Sequence, residues 1–236
     1  MAPPPNPPHA LPVYLQISEM LAREIAAGRL VDGERLPPER QLAAELGVSI
    51  GTLRKALADL AEKGLLNRVH GSGNYVQAAH VDRSIYAMFR LELVRGGGLP
   101  SARFLDVSRM EKPADLPAFG TASAATRIRR LRFLDREPVA VEEIWLDGDA
   151  GEVRREELSD SLYYFYRTRL GLSISRAEDR VGLAAVPEWA PPAFAPRPGT
   201  TTGFIERHAW AAGPEAVEYS RTWFDPDRAR YVQRFR

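Results

Sequence analysis

The chain has 236 residues, 44% of them hydrophobic and 27% charged, which is enough material for two domains of ordinary size. Its 32 lysines and arginines nearly balance 31 aspartates and glutamates, for a formal net charge of +1, so bulk charge alone points to neither nucleic acid nor an acidic partner. The absence of cysteine excludes disulfides, thiolate metal sites and a cysteine nucleophile.

Residues 1–10 open with Met1-Ala2-Pro3-Pro4-Pro5-Asn6-Pro7-Pro8, without the basic or apolar region of a signal peptide. They read as a proline-rich, disordered tail, either simply solvated or a ligand for a proline-binding module. No later run is long enough to span a membrane, so the expected setting is cytoplasmic, with no membrane partner.

From Pro12 the apolar spacing of Tyr14, Ile17, Leu21 and Ile25 predicts a helix that stops at Gly28. After a turn through Asp32-Gly33, Pro38 suits a first helical position and Glu39 the positive end of a second, short helix that ends at Gly47. Ser49 is the expected N-cap of a third helix, whose stripe of Leu53, Leu57 and Leu60 runs to Gly64. Two helices joined by a short glycine-containing turn fit a helix-turn-helix, with the second helix entering the major groove of DNA. Leu65–Val69 and Asn74–Val76 flank His70-Gly71-Ser72-Gly73, a hairpin wing whose small tip can approach a minor groove.

This run resembles the winged-helix domain of the GntR family of bacterial transcription regulators. The resemblance rests on Pro12-Val13-Tyr14, Gly33 through Ala43, Gly47-Val48-Ser49, Thr52 through Leu57 and Gly71-Ser72-Gly73. It implies that Arg40, Ser49, Thr52, Arg54 and the neighbouring Lys55 meet phosphates or base edges, while His70 and Gly71 serve the wing. Arginine suits such work because its fork makes two hydrogen bonds to guanine or phosphate. The family usually carries arginine after Ser49, whereas this chain has Ile50. On a helical wheel Ile50 flanks the leucine stripe; inward packing is the favoured reading and contact with a thymine methyl the alternative. Residues 9–78 hold eight basic and eight acidic side chains, so a phosphate-binding surface has to come from their placement.

Residues 11–77 are therefore read as a winged helix-turn-helix domain, 78–83 as a linker and 84–236 as a second domain. Alternation predicts strands over Ala102–Met110, Ala125–Leu134, Val139–Leu146, Ile174–Val186, Gly203–Ala211 and Ala216–Phe224. Asp135-Arg136-Glu137-Pro138 and Ala212-Gly213-Pro214-Glu215 read as hairpin turns. Leu158, Leu162, Phe165 and Leu170, ending at Gly171, predict one helix between strands.

This half resembles the UTRA effector-binding domain of the HutC branch of the same family, through Arg130-Leu131-Arg132, Glu137 through Glu142, Ser161-Leu162-Tyr163, Val217 through Ser220, Asp227-Arg228 and Tyr231. The resemblance implies an α+β protein whose second domain is chorismate-lyase-like: an antiparallel sheet with helices packed on it and a small-molecule pocket between. With the hairpin centred near Glu137, Arg132 and Glu142 stand opposite each other on one face. The pair is either a cross-strand salt bridge or a ligand grip, Arg132 holding a carboxylate, sulfate or phosphate and Glu142 accepting ligand hydrogens; the family match favours the grip. Arg130 shares that face. Arg176 lies where the family often supplies another basic ligand. Ser161 either bonds an effector or caps the helix after it, and Tyr231 either closes the pocket or is a half-buried aromatic. Pro191-Pro192 interrupts a segment where this branch usually keeps a short helix.

The four histidines, His9, His70, His80 and His208, lack paired ligand spacing, so neither metal nor cofactor is expected. No serine-histidine-carboxylate set occurs, and Glu142 and Glu143 point to opposite faces of a strand. The expectation is a homodimeric repressor, not an enzyme, that binds operator DNA and releases it when a small-molecule effector occupies the second domain. An enzyme using that pocket and an architectural DNA binder are the rival classes.

Overall fold

The computed structural model describes residues 11–77 and 88–234, and these divide into two compact units. The tail over 1–10, the linker over 78–83, the start of the second domain at 84, His9 and His80 all lie outside the described residues.

In one unit, α1 (Val13–Ala26), α2 (Glu39–Glu45) and α3 (Ile50–Glu62) precede a hairpin of β1 (Leu66–Val69) and β2 (Gly73–Val76). Pro38 caps α2 from outside, one residue earlier than its expected helical position. The helices close over a core of Ile17, Leu21, Ile25, Leu42, Leu53, Leu57, Leu60 and Leu65. The segment before α2 adds a third strand-like edge, since the Leu36 amide donates to the Asn74 carbonyl at 2.9 Å and the Val76 amide to the Glu34 carbonyl at 2.8 Å. A polar cluster pins α1 to the end of α3. Glu19, 0% exposed, pairs with Lys63, which also reaches Asp59 at 2.7 Å, while the Ser18 hydroxyl donates to Asp59. Burial alone pulls the Lys63 pKa down, yet the Glu19 and Asp59 carboxylates outweigh it and hold it above the ordinary lysine value.

The other unit is built on a six-stranded antiparallel sheet of β4 (Pro100–Glu111), β5 (Ala124–Leu134), β6 (Glu137–Asp147), β7 (Arg176–Ala185), β8 (Thr201–Trp210) and β9 (Ala216–Phe224), in the order β4-β5-β6-β9-β8-β7. Two three-residue strands missed by alternation, β3 (Leu91–Leu93) and β10 (Ala229–Tyr231), pair with each other. One face of the sheet is covered by α4 (Leu162–Phe165), prolonged by a π-helical turn over Tyr166–Leu170 and closed at Gly171 in the left-handed conformation. Phe104, Ile128, Ile144 and Leu146 from the sheet meet Leu158, Leu162, Phe165 and Tyr166 there. The segment containing Pro191-Pro192 belongs to the opposite face, where Trp189 and Phe194 pack with Leu131, Val141 and Trp223. From Val139 to Asp147 the central strand β6 is buried on both faces because both are covered, and Glu142 and Glu143 are charged residues that it carries inside.

The β5–β6 turn corrects the expected register. Only Asp135 and Arg136, at φ of 47° and 69°, form the loop, while Glu137 and Pro138 are already in β6. A bulge between Arg132 and Phe133 then shifts the ladder, so Glu142 stands opposite Arg130 and Arg132 opposite Ala140.

Candidate functional site

Two surfaces carry chemistry, one in each unit. In the helical unit, the Ser49 side chain caps α3 by accepting from the Thr52 amide at 3.1 Å, and the two hydroxyls lie 2.9 Å apart. At this helix start Ser49, Arg54 and Lys55 are exposed and Thr52 is half-buried; Arg40 is exposed on α2, and His70 and Gly71 are exposed at the hairpin tip. Gly71 takes φ 73°, which lets the tip turn within three residues. Glu39, at the first turn of α2, accepts from Arg54 Nε at 2.7 Å and reaches Arg68 of β1 at 3.5 Å, so one carboxylate holds a cation on α3 and another on the hairpin. Ile50 does not pack inward as expected: it is 37% exposed and lies outside the core that Leu53, Ala56, Leu57 and Leu60 of the same helix join.

In the sheet unit, strand alternation and register bring Arg130, Arg132, Glu142, Ser220, Thr222, Arg207 and Asp179 onto the face that α4 covers. Arg130 donates to Glu142 through Nε. Arg132, 1% exposed, donates to the Asp160 carbonyl at 3.0 Å and lies 3.7 Å from Glu142. Arg207 binds Asp179 through two bonds of 2.5 and 2.7 Å, and the Tyr231 hydroxyl donates to the same carboxylate at 2.8 Å. From α4 and its π-helical turn, Tyr163 and Tyr166 donate to Glu218 at 3.1 and 2.6 Å. Ser161 caps α4 by accepting from the Tyr164 amide at 3.3 Å.

The two ends of this polar floor act on each other. Burial works to raise the Glu142 pKa, but Arg130 and Arg132, helped by Arg207, hold it below the ordinary carboxyl value. For Glu218 burial wins, and its pKa stands above the ordinary value although both tyrosine hydroxyls, Arg207 and Arg130 oppose the shift. Burial, offset by Asp179 and Tyr163, leaves the Arg207 guanidinium firmly protonated.

Of the six residues expected at the effector site, Arg130, Arg132, Glu142, Ser161 and Tyr231 belong to this helix-covered side. Arg176 does not: three positions from Asp179 on β7, it faces the other way and stacks on Trp210 at 4.0 Å. Sequence reasoning missed Arg207, Asp179, Glu218 and Tyr166 as partners. The available signal for Glu218 was that it is the one charged residue in an alternation otherwise made of Ala216, Ser220, Thr222 and Phe224. Arg207 gave none, since β8 is charged on both faces around Glu206-Arg207-His208.

The family described as bacterial regulatory proteins, gntR family, matches residues 13–76, and the UTRA domain matches residues 95–230. The HTH-type transcriptional regulator SmoD of Agrobacterium fabrum is 57% identical over 96% of this chain and 97% of its own length. The mannosyl-D-glycerate transport/metabolism system repressor MngR of Escherichia coli is 27% identical over 72% of this chain and 73% of its own. The crystal structure of YydK from Bacillus subtilis shares the fold, with a TM-score of 0.53 at 20% identity, covering 96% of this chain and all 100% of that one. The chain belongs to the gntR family of bacterial regulatory proteins and is a ligand-responsive, DNA-binding transcription regulator. Among the described residues no helix is long and apolar enough to cross a membrane.

Proposed function

We propose that this regulator is a cytoplasmic homodimeric repressor of the HutC branch, which binds a near-palindromic operator through two copies of α3 and leaves it when a small anionic metabolite binds the sheet domain. The observation that carries the reading is the exposed, Ser49-capped start of α3, which bears exposed Arg54 and Lys55, together with exposed Arg40 on α2 and a hairpin tip of His70 and Gly71. A positive helix end and arginine forks suit phosphate and guanine, and a two-fold dimer matches two half-sites. In the sheet domain, Arg130 and Arg132 offer guanidinium groups to a carboxylate, sulfate or phosphate, while Glu142 and Ser161 meet hydroxyls and Tyr231 closes one side. MngR is a repressor named for mannosyl-D-glycerate, a sugar carrying a carboxylate, and that chemistry suits this floor of arginines and acceptors. The metabolite is bound without being transformed, since the relatives are regulators and the buried carboxylates are occupied by arginine and tyrosine partners.

The test is selection of a duplex from a random library with the full-length protein, followed by binding at one fixed salt concentration. Arg54→Ala is expected to weaken binding about tenfold or more per half-site. Unchanged affinity would remove α3 as the reader. Sedimentation of the protein with and without the selected duplex checks the dimer.

A further inference from the structure

Resting on the reading of α3 as the groove-facing helix, we infer that Ile50 is a specificity-determining residue that selects thymine at one position of each half-site through its C5-methyl group. Ile50 is the first residue of α3, directly after the Ser49 cap, and 37% of it is exposed. The position is otherwise a poor one for such a side chain: a β-branched residue lowers helix propensity and an exposed aliphatic group gains nothing from water. Its immediate neighbours leave the approach open. Gly51 has no side chain, and the hydroxyls of Ser49 and Thr52 are engaged with each other and with the capped amide. Ile50 and Arg54 are four residues apart and so share one face of the helix, about 6 Å apart along its axis, which spans one or two base pairs.

In the major groove only thymine among the four standard bases presents a methyl group. An isoleucine side chain that covers that methyl gains apolar burial. Set against guanine, adenine or cytosine, it strips water from the base edge and offers no hydrogen bond in return. The same side chain therefore favours one base and penalises three. Arg54, one turn further on, supplies the polar contact that fixes the register of the helix on the duplex.

The probe is the duplex selected by the full-length protein, made in two forms that differ only by replacing the thymine one or two base pairs from the Arg54 contact with deoxyuridine, which lacks the methyl. Wild-type protein should bind the deoxyuridine form about fourfold more weakly for each substituted half-site. Ile50→Ala should bind both forms equally, and Ile50→Arg, put through the same selection, should enrich guanine where the wild type enriches thymine. Equal wild-type binding to the two forms, or enrichment of the same base by Ile50→Arg, would overturn the inference while leaving α3 as the reader. Failure of the wild type to enrich any duplex would overturn both.

Discussion

Two buried glutamates on one sheet face carry opposite linkages to pH. Glu142 is held below the ordinary carboxyl pKa of 4.5 despite its burial, because Arg130 and Arg132 stabilise its charge. A depressed folded-state pKa contributes stability above the unfolded value that is lost as pH falls through the folded one. Glu218 is the reverse. Burial raises its pKa above 4.5, so its contribution is present below that value and is lost as pH rises through the folded pKa. All four tryptophans, Trp145, Trp189, Trp210 and Trp223, lie in the sheet unit, so intrinsic fluorescence in urea reports on that unit. Glu142→Gln is expected to lose about 3 kcal/mol at pH 7, where two buried guanidiniums are left without their carboxylate, and to lose less only once pH drops below 4.5 and through the depressed folded pKa. Glu218→Gln keeps an acceptor for the Tyr163 and Tyr166 hydroxyls without the buried charge. Its urea midpoint should equal or exceed that of the wild type at pH 7, with the difference closing near pH 4. Parallel behaviour of the two variants would contradict the assigned charge states.

Among the elements, the β5–β6 hairpin shows what the sequence reveals and what it conceals. Period-two alternation located all six strands of the large sheet to within two residues, and five of them have a face packed on a core, whereas the edge strand β7 is largely exposed. The turn was legible as a region, but its centre was not. Asp135 and Arg136 take a left-handed conformation that favours glycine or asparagine, and neither announces it. The bulge between Arg132 and Phe133 leaves no compositional mark either, yet it is what brings Glu142 opposite Arg130. The site beyond β6 was hidden for a different reason: uniting Arg130, Arg207 and Tyr231 requires the strand order β6-β9-β8-β7, which local pattern does not encode. Ile50 lay at the rim of a helical wheel, where angle alone does not decide burial. Arg136→Gly relieves the left-handed strain of a side chain at φ 69°, roughly 1–2 kcal/mol, against a backbone entropy cost of up to about 1 kcal/mol. The fluorescence-detected urea midpoint of the sheet unit should therefore rise, by about 0.5 kcal/mol in stability. A fall would mean that Arg136 holds the turn through its side chain.

For the whole molecule, the proposed reading residues of α3 and the polar floor reside in different units, each with its own core. Binding at the floor can change operator affinity only if the ligand prefers one state of the protein over another, and the size of that preference limits the response. A substitution that weakens the ligand contact alone should leave the ligand-free protein on DNA as before and displace the dose needed for release. Arg132→Lys is suited to this test, since it keeps the positive charge on β5 but gives up the planar fork. A panel of sugar carboxylates, sulfates and phosphates, screened by thermal stabilisation of the full-length protein, supplies the effector. With that compound, Arg132→Lys should bind the selected duplex within about twofold of the wild type and need about tenfold more effector to release half of it, matching its loss of effector affinity by calorimetry. An unchanged release dose would take Arg132 out of the effector contact. Ligand-free operator binding that falls together with effector affinity would instead make Arg132 part of the arrangement that DNA selects.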